Sequence, residues 1–203
     1  MPITGYGEDA LCYWALSCRL HEIVGTANAM VLYRPSFGRR GSKPGKASSQ
    51  FGEFDAIIAT DRMIHLVEAK WRGSSEIRKG EIKLRPEQSR RHDIFKAYLE
   101  AWWSNPEPED WEKFRKRIGE ELNVGTEKYP VPDAKRQLAK NLEAVLSRLG
   151  KQRKEVENVL LYLALAGQKK IPTNEPTGFR LVPIHTGSPD GFVELPFFVS
   201  AAG

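Results

Sequence analysis

The chain has 203 residues, 40 % hydrophobic and 28 % charged, and its 31 Lys and Arg against 26 Asp and Glu leave a net charge of +5. That is enough chain to bury the core of one ordinary soluble domain. The longest apolar run, Val159 to Ala166, is eight residues, short of the roughly 20 that span a membrane. Met1 to Asp9 lacks the basic start and apolar stretch of a secretory signal, so a cytoplasmic protein without a membrane partner is expected.

Cys12 and Cys18 are the only cysteines. Six apart on an expected helix, they are poorly spaced to bridge each other. They suit neither a disulfide framework nor a zinc site and read as two small buried side chains. The charge is unevenly spread. Residues 72–154 hold 20 basic and 14 acidic side chains, the whole cationic excess, and Arg34, Arg39, Arg40, Lys43 and Lys46 cluster without an intervening acid. Clustered cations fit a polyanionic partner, since each neutralised phosphate releases counterions. Solvated helix faces would produce the same pattern.

In chain order, Gly5 to Ile23 reads as one helix, with Leu11, Trp14, Ala15 and Cys18 on its buried stripe. A strand is expected at about Ala29 to Tyr33. A Gly-, Ser- and Lys-rich loop follows from Arg34 to Ser49. Phe51 to Thr60 and Met63 to Trp71, split by a short polar turn around Asp61, have the spacing of an antiparallel hairpin. A basic loop covers Arg72 to Arg85, and Pro86 opens a helix whose core face would be Gln88, His92, Phe95, Leu99 and Trp102.

Asn105 to Pro132 looks like an insertion holding a short helix with Trp111, Phe114, Ile118 and Leu122 on one side. Asp133 would cap another helix, with Leu138, Leu142, Val145 and Leu149 inward and Gly150 as its stop. Val156 to Ala166 reads as a buried strand. Phe179 to Ile184 and Phe192 to Val199 read as peripheral strands, where Pro183 and Pro196 suit edges. The expected fold is a single α/β domain over residues 1–203. Its mixed central sheet is flanked by helices, in an αβββαβ order with a helical insertion at about 105–150.

Glu68 and Lys70 interrupt an apolar strand and project from one face, while Val67, Ala69 and Trp71 take the other. Asp55 interrupts the neighbouring strand. Charges in a half-buried hairpin are costly unless paired or metal-bound. Two carboxylates and an amine could therefore form a compact site, the carboxylates offering oxygen ligands to Mg²⁺. A bare Glu-x-Lys is by itself more often a surface pair. Asp55 thirteen residues back, with helices before and after, changes that balance.

This layout resembles the PD-(D/E)XK superfamily, the restriction-endonuclease-like nucleases. There an acid on the second core strand precedes an acid-x-lysine on the third, here Asp55 and then Glu68-Ala69-Lys70. Residues 5 to 104 and about 156 to 166 follow the family's core order. Phe54 departs from the pattern's proline. The resemblance implies a divalent-metal-dependent nuclease acting on DNA, with Mg²⁺ replaceable by Mn²⁺. It implies Asp55, Glu68 and the Ala69 carbonyl as metal ligands, and Lys70 acting on the water or the transition state.

Glu8 resembles the first-helix glutamate that approaches the metals in many members. An acid favoured by the helix N-terminus is the plain alternative, and Asp9 is the backup if the register differs. Glu53 shares a strand face with Asp55 and could be a second ligand, but reads chiefly as a surface residue. Gln88 matches the glutamine of a Gln-x-x-x-Tyr motif in RecB-like relatives, with His92 where the tyrosine would be. Arg39, Arg40, Lys43, Arg72, Lys79, Arg90 and Arg91 are the candidate phosphate contacts. A catalytically inactive nucleic-acid-binding module on the same fold is the competing reading, and a homodimer is left open.

Overall fold

The computed structural model describes residues 3–37 and 52–196. In chain order the elements are β1 (Ile3–Tyr6), α1 (Gly7–Cys18), α2 (Leu20–Val24), β2 (Met30–Tyr33), β3 (Ala56–Ala59) and β4 (Met63–Trp71). Then come β5 (Ile77–Arg78), β6 (Glu81–Ile82), α3 (Pro86–Trp103), α4 (Trp111–Ile118), β7 (Glu121–Val124) and β8 (Glu127–Pro130). The chain closes with α5 (Gln137–Leu149), β9 (Glu155–Ala164), β10 (Arg180–His185) and β11 (Phe192–Leu195). They form two compact units: Met1–Tyr33 with Asp55–Leu84 and Glu157–Gly203, and Arg34–Phe54 with Arg85–Val156. No helix among the described residues is long and apolar enough to cross a membrane.

The first unit is built on a mixed five-stranded sheet in the order β10-β9-β4-β3-β2. β2, β3 and β4 run antiparallel in sequence, while β9 and β10 are parallel. Alternation sorts the side chains into two layers. Ala56, Ile58, Val67, Ala69, Leu161 and Leu163 bury one face against Leu11, Cys12, Ala15 and Leu16 of α1 and Ile23 of α2. Leu160, Tyr162 and Ala164 point the other way and pack with Ile82 and Phe179. By the same alternation Leu66, Glu68 and Lys70 belong to that second face. Pro183 lies on β10, an edge strand, where its missing N–H costs no ladder bond.

The N-terminal segment differs from one long helix. Ile3–Tyr6 is a strand paired antiparallel with β11, Tyr6 opposite Phe192. α1 stops at Cys18, Arg19 leaves helical geometry (φ −131°), and the short α2 ends on Gly25 in the left-handed region. Cys12 is buried as expected, but Cys18, at the frayed end of α1, is exposed. Gly5 is required where β1 meets α1, since a Cβ there would stand 2.6 Å from that of Ala10. Phe51 to Thr60 is a strand only from Ala56 to Ala59 among its described residues, with Glu53 in a lone bridge to Ser36. The Arg72 to Arg85 loop contains the β5–β6 hairpin, turned by Lys79 and Gly80 at positive φ.

The second unit is organised by α3. Pro86 opens it, and Gln88 Oε1 accepts from Arg85 N at 2.8 Å. All five expected core positions of α3 are buried, as are Arg91, Ile94, Tyr98 and Trp103. Asp110 caps α4 by accepting from Lys113 N. Gly119 at φ 92° then ends that helix, so Leu122 lies in the β7–β8 hairpin rather than on the helix. Asp133 caps the turn before α5 through Lys135 N, and Arg136 occupies the N-cap itself. The buried stripe of α5 is Ala139, Leu142, Leu146 and Leu149, one step round from the expected Leu138 and Val145.

Candidate active site

The antiparallel register pairs Ala56 with Val67 and Ile57 with Leu66. One step further, it sets Asp55 opposite Glu68, and Asp55 N still donates to Val67 O at 3.2 Å. Asp55 thus stands at the mouth of the hairpin, where the ladder ends, on the Glu68 and Lys70 face. Ala69 N donates to Asp55 Oδ2 at 2.7 Å and fixes that carboxyl to the neighbouring strand.

Lys70 is 5 % exposed and Glu68 3 %. The Lys70 ammonium donates to Glu68 Oε1 at 2.9 Å and to Ala69 O at 2.7 Å, and lies 3.7 Å from Glu8 Oε1. Glu8 arrives from the first turn of α1, where an acid also suits the helix N-terminus. The neighbouring Asp9 is exposed. Ser74, which sequence reasoning did not single out, completes the arrangement. Its hydroxyl donates to the Glu8 carboxylate and accepts from Trp71 N at 3.0 Å. The local signal is a tight turn after β4, closed by Ser74 N donating to Trp71 O.

The electrostatics are those of a cation among competing acids. Burial, and then the Glu68 charge, push the Asp55 carboxyl up to about 7, against the opposing Ala69 hydrogen bond and Lys70 charge. Burial works to lower Lys70, but the charges of Glu68 and Glu8 outweigh it and hold the ammonium above the ordinary lysine range. Lys70 is therefore charged at neutral pH, while Asp55 is readily protonated.

Among the described residues, no three of His, Cys, Asp and Glu form a ready metal cage. The donor set that is present, two facing carboxylates of hard oxygen, fits Mg²⁺, which takes one or two protein carboxylates and keeps waters. The raised Asp55 fits it too, because a carboxyl whose ionisation is opposed by burial and by the Glu68 charge is relieved by a divalent cation. The Ala69 carbonyl is engaged by the Lys70 side chain.

The other expected residues divide. Arg72 and Lys79 are exposed on the first unit. Gln88 lies in the second unit, where its side chain caps α3. Arg91, also there, is 7 % exposed, donates to Glu53 O and lies 5.5 Å from the Phe54 ring centroid. His92 is fully buried beside Phe54. Arg90 is exposed and pairs with Glu127 at 3.3 Å. Glu53 is an exposed partner of Arg34 at 2.6 Å. Arg39, Arg40 and Lys43 lie outside the described residues. No family model matches the chain, and neither a curated protein nor a solved structure does.

Proposed function

We propose that the chain is a divalent-metal-dependent nuclease that hydrolyses phosphodiester bonds in DNA, on a restriction-endonuclease-like fold. The observation that carries the reading is the convergence of Asp55, Glu68 and Lys70 on one sheet face, with Glu8 brought to the same ammonium. The strand order β9-β4-β3-β2, with α1 and α2 against one face, agrees with the αβββαβ core of that fold.

Asp55 and Glu68 would hold Mg²⁺ or Mn²⁺. When bound, such an ion supplies a Lewis acid for a phosphoryl oxygen and acidifies water. Lys70, kept protonated by its acids, would donate to charge developing on the phosphate or orient the attacking water. Glu8, tethered by Ser74, would help Glu68 hold the Lys70 ammonium in place. The exposed Arg72 and Lys79 supply cations on the same unit for the flanking backbone.

The test is incubation of supercoiled plasmid and of single-stranded DNA with the purified chain in EDTA, Mg²⁺, Mn²⁺ or Ca²⁺. Cleavage in Mg²⁺ or Mn²⁺ that disappears in EDTA and in Asp55→Asn is expected. Metal-independent cleavage, or none beside tight binding, would replace this reading with a contaminating activity or an inactive binding module.

A further inference from the structure

Large apolar side chains exposed among the described residues are few: Ile3 48 %, Tyr6 59 %, Tyr33 36 % and Phe192 50 %. Two of them stack together on one ribbon. Tyr6 and Phe192 are cross-strand partners on the β1–β11 ribbon, their ring centroids 4.6 Å apart. Val193 and Leu195 turn to the core, so alternation turns Phe192 outward. The Tyr6 ring also meets Trp71 edge-on at 5.8 Å.

Trp71 is held in place. A Cβ on Gly73 would come within 2.8 Å of its indole, and one on Gly191 within 2.6 Å. Both neighbours are glycine, and the ring occupies the space they leave. The Trp71 ring projects from the α1 face, opposite to Lys70, and what joins the rings to the chemistry is the strand end: Ser74 bonds both Trp71 N and Glu8, and Glu8 lies 3.7 Å from the Lys70 ammonium.

We propose that Tyr6, Phe192 and Trp71 form a stacking platform for an unpaired nucleobase beside the Asp55–Glu68–Lys70 site, which makes single-stranded or frayed DNA the substrate class. The nuclease reading supplies the site to which this platform is joined. Stacking on aromatic rings is how proteins hold bases without reading sequence, and an intact duplex offers such a surface only at its ends. Arg72, exposed and next to Trp71, supplies a cation for the accompanying phosphate.

A second copy of the chain fits this surface poorly. Aromatic side chains carry about 150–250 Å² each, so Ile3, Tyr6 and Phe192 together expose on the order of 300 Å². A stable interface needs about 800 Å² from each partner.

The experiment measures fluorescence anisotropy of a labelled 12-nucleotide single strand and of its blunt duplex, in EDTA, with wild type, Phe192→Ala and Phe192→Trp. Phe192→Ala should weaken single-strand binding about tenfold and leave duplex binding within about twofold, while Phe192→Trp retains it. A second readout needs no variant: ultraviolet crosslinking of a 5-iodouracil strand to wild type should label the peptides carrying Tyr6, Trp71 or Phe192. Unchanged single-strand affinity in a folded Phe192→Ala, or crosslinks confined to other peptides, overturns the platform. So does a wild-type dimer that sedimentation shows Phe192→Ala to dissociate while DNA binding is unaltered. The two readings fail separately. Phe192-dependent binding without any cleavage leaves the platform and removes the nuclease, whereas metal-dependent cleavage with a negative crosslink and an indifferent Phe192→Ala does the reverse.

Discussion

Asp55 faces Glu68 across the β3–β4 register, and its Oδ2 accepts from Ala69 N, the amide between Glu68 and Lys70. The two carboxylates are thus locked in opposition by backbone. Burial and the Glu68 charge make Asp55 costly to ionise, which is a statement about stability.

For Asp55 the sign is clear. Its folded pKa is raised from 3.8 to about 7, so the folded state holds a proton that the unfolded chain has already lost. In metal-free buffer its contribution to stability is greatest below pH 4 and declines as pH rises to about 7. Asp55→Asn should flatten that decline and melt no lower than wild type at pH 8. Saturating Mg²⁺ should raise the wild-type midpoint there. At 100 times its Kd the gain is about 2.7 kcal/mol, or roughly 5–10 °C for a chain this size. Thermal denaturation at pH 5 and pH 8, with and without Mg²⁺, checks this. A wild type whose midpoint is indifferent to Mg²⁺ removes Asp55 and Glu68 as its ligands.

Lys70 should separate catalysis from binding. Lys70→Ala removes the ammonium shared by Glu68, Glu8 and Ala69 O. Cleavage should fall by at least about a hundredfold, the scale of losing one charge-stabilising donor, while DNA affinity in Ca²⁺ stays within a few-fold. Stability should also suffer, by about 2–4 kcal/mol without metal, because the buried Glu68 loses the ammonium that donates to it. Single-turnover cleavage within a few-fold of wild type would take Lys70 out of the chemistry.

The legible parts of this molecule are those whose signal is local. Met63 to Trp71 is a nine-residue strand with its expected bounds, because apolar residues fill both faces except at His65, Glu68 and Lys70. The Pro86 helix, marked by its first-turn proline and a periodic core face, is equally plain. Gly5 and Tyr6 read as helix in the sequence, since the partner of their strand lies at Phe192–Leu195, far along the chain, and no short window reports such pairing. Leu122 suits a helical stripe by spacing, but Gly119 stops that helix and Gly125 turns a hairpin. Within the site, Asp55, Glu68 and Lys70 stand out as charges among apolar residues. Ser74 sits in a polar loop where a serine is unremarkable, and only the turn after β4 brings it to Glu8.

Ser74 should behave as a positioning residue. Ser74→Ala frees Glu8 from its tether and leaves Trp71 N without that acceptor. The turnover number should drop about tenfold with KM nearly unchanged, since the hydroxyl acts through Glu8 rather than on the acids proposed to hold the metal. Glu8→Gln, which keeps the shape but removes the charge near Lys70, should lower turnover similarly, and the double variant should fall little further because both act through one contact. Additive losses in the double variant would mean that Ser74 and Glu8 work independently.

The second unit carries a test of its own. Glu109 is 4 % exposed at its side chain and binds Arg117 at 2.6 Å and Lys151 at 2.9 Å. The Lys151 ammonium also lies 3.7 Å from the Trp102 ring centroid. Burial works to raise the Glu109 carboxyl, but the hydrogen bonds from Arg117 and Lys151 more than cancel it and hold the group at about 2, below its usual 4.5. A depressed folded pKa contributes stability that is fully present above about pH 4.5 and drains away as pH falls towards 2. Glu109→Gln should therefore cost about 2 kcal/mol at pH 7, less than a fully buried pair because Arg117 is 31 % exposed. The gap between wild type and variant should narrow steadily as urea melts are repeated from pH 5 down to pH 3. Cleavage per folded molecule should not change, since Glu109 belongs to the second unit and Asp55, Glu68 and Lys70 to the first. A gap that stays constant across that range would show that the pair contributes through packing on Trp102 rather than through charge.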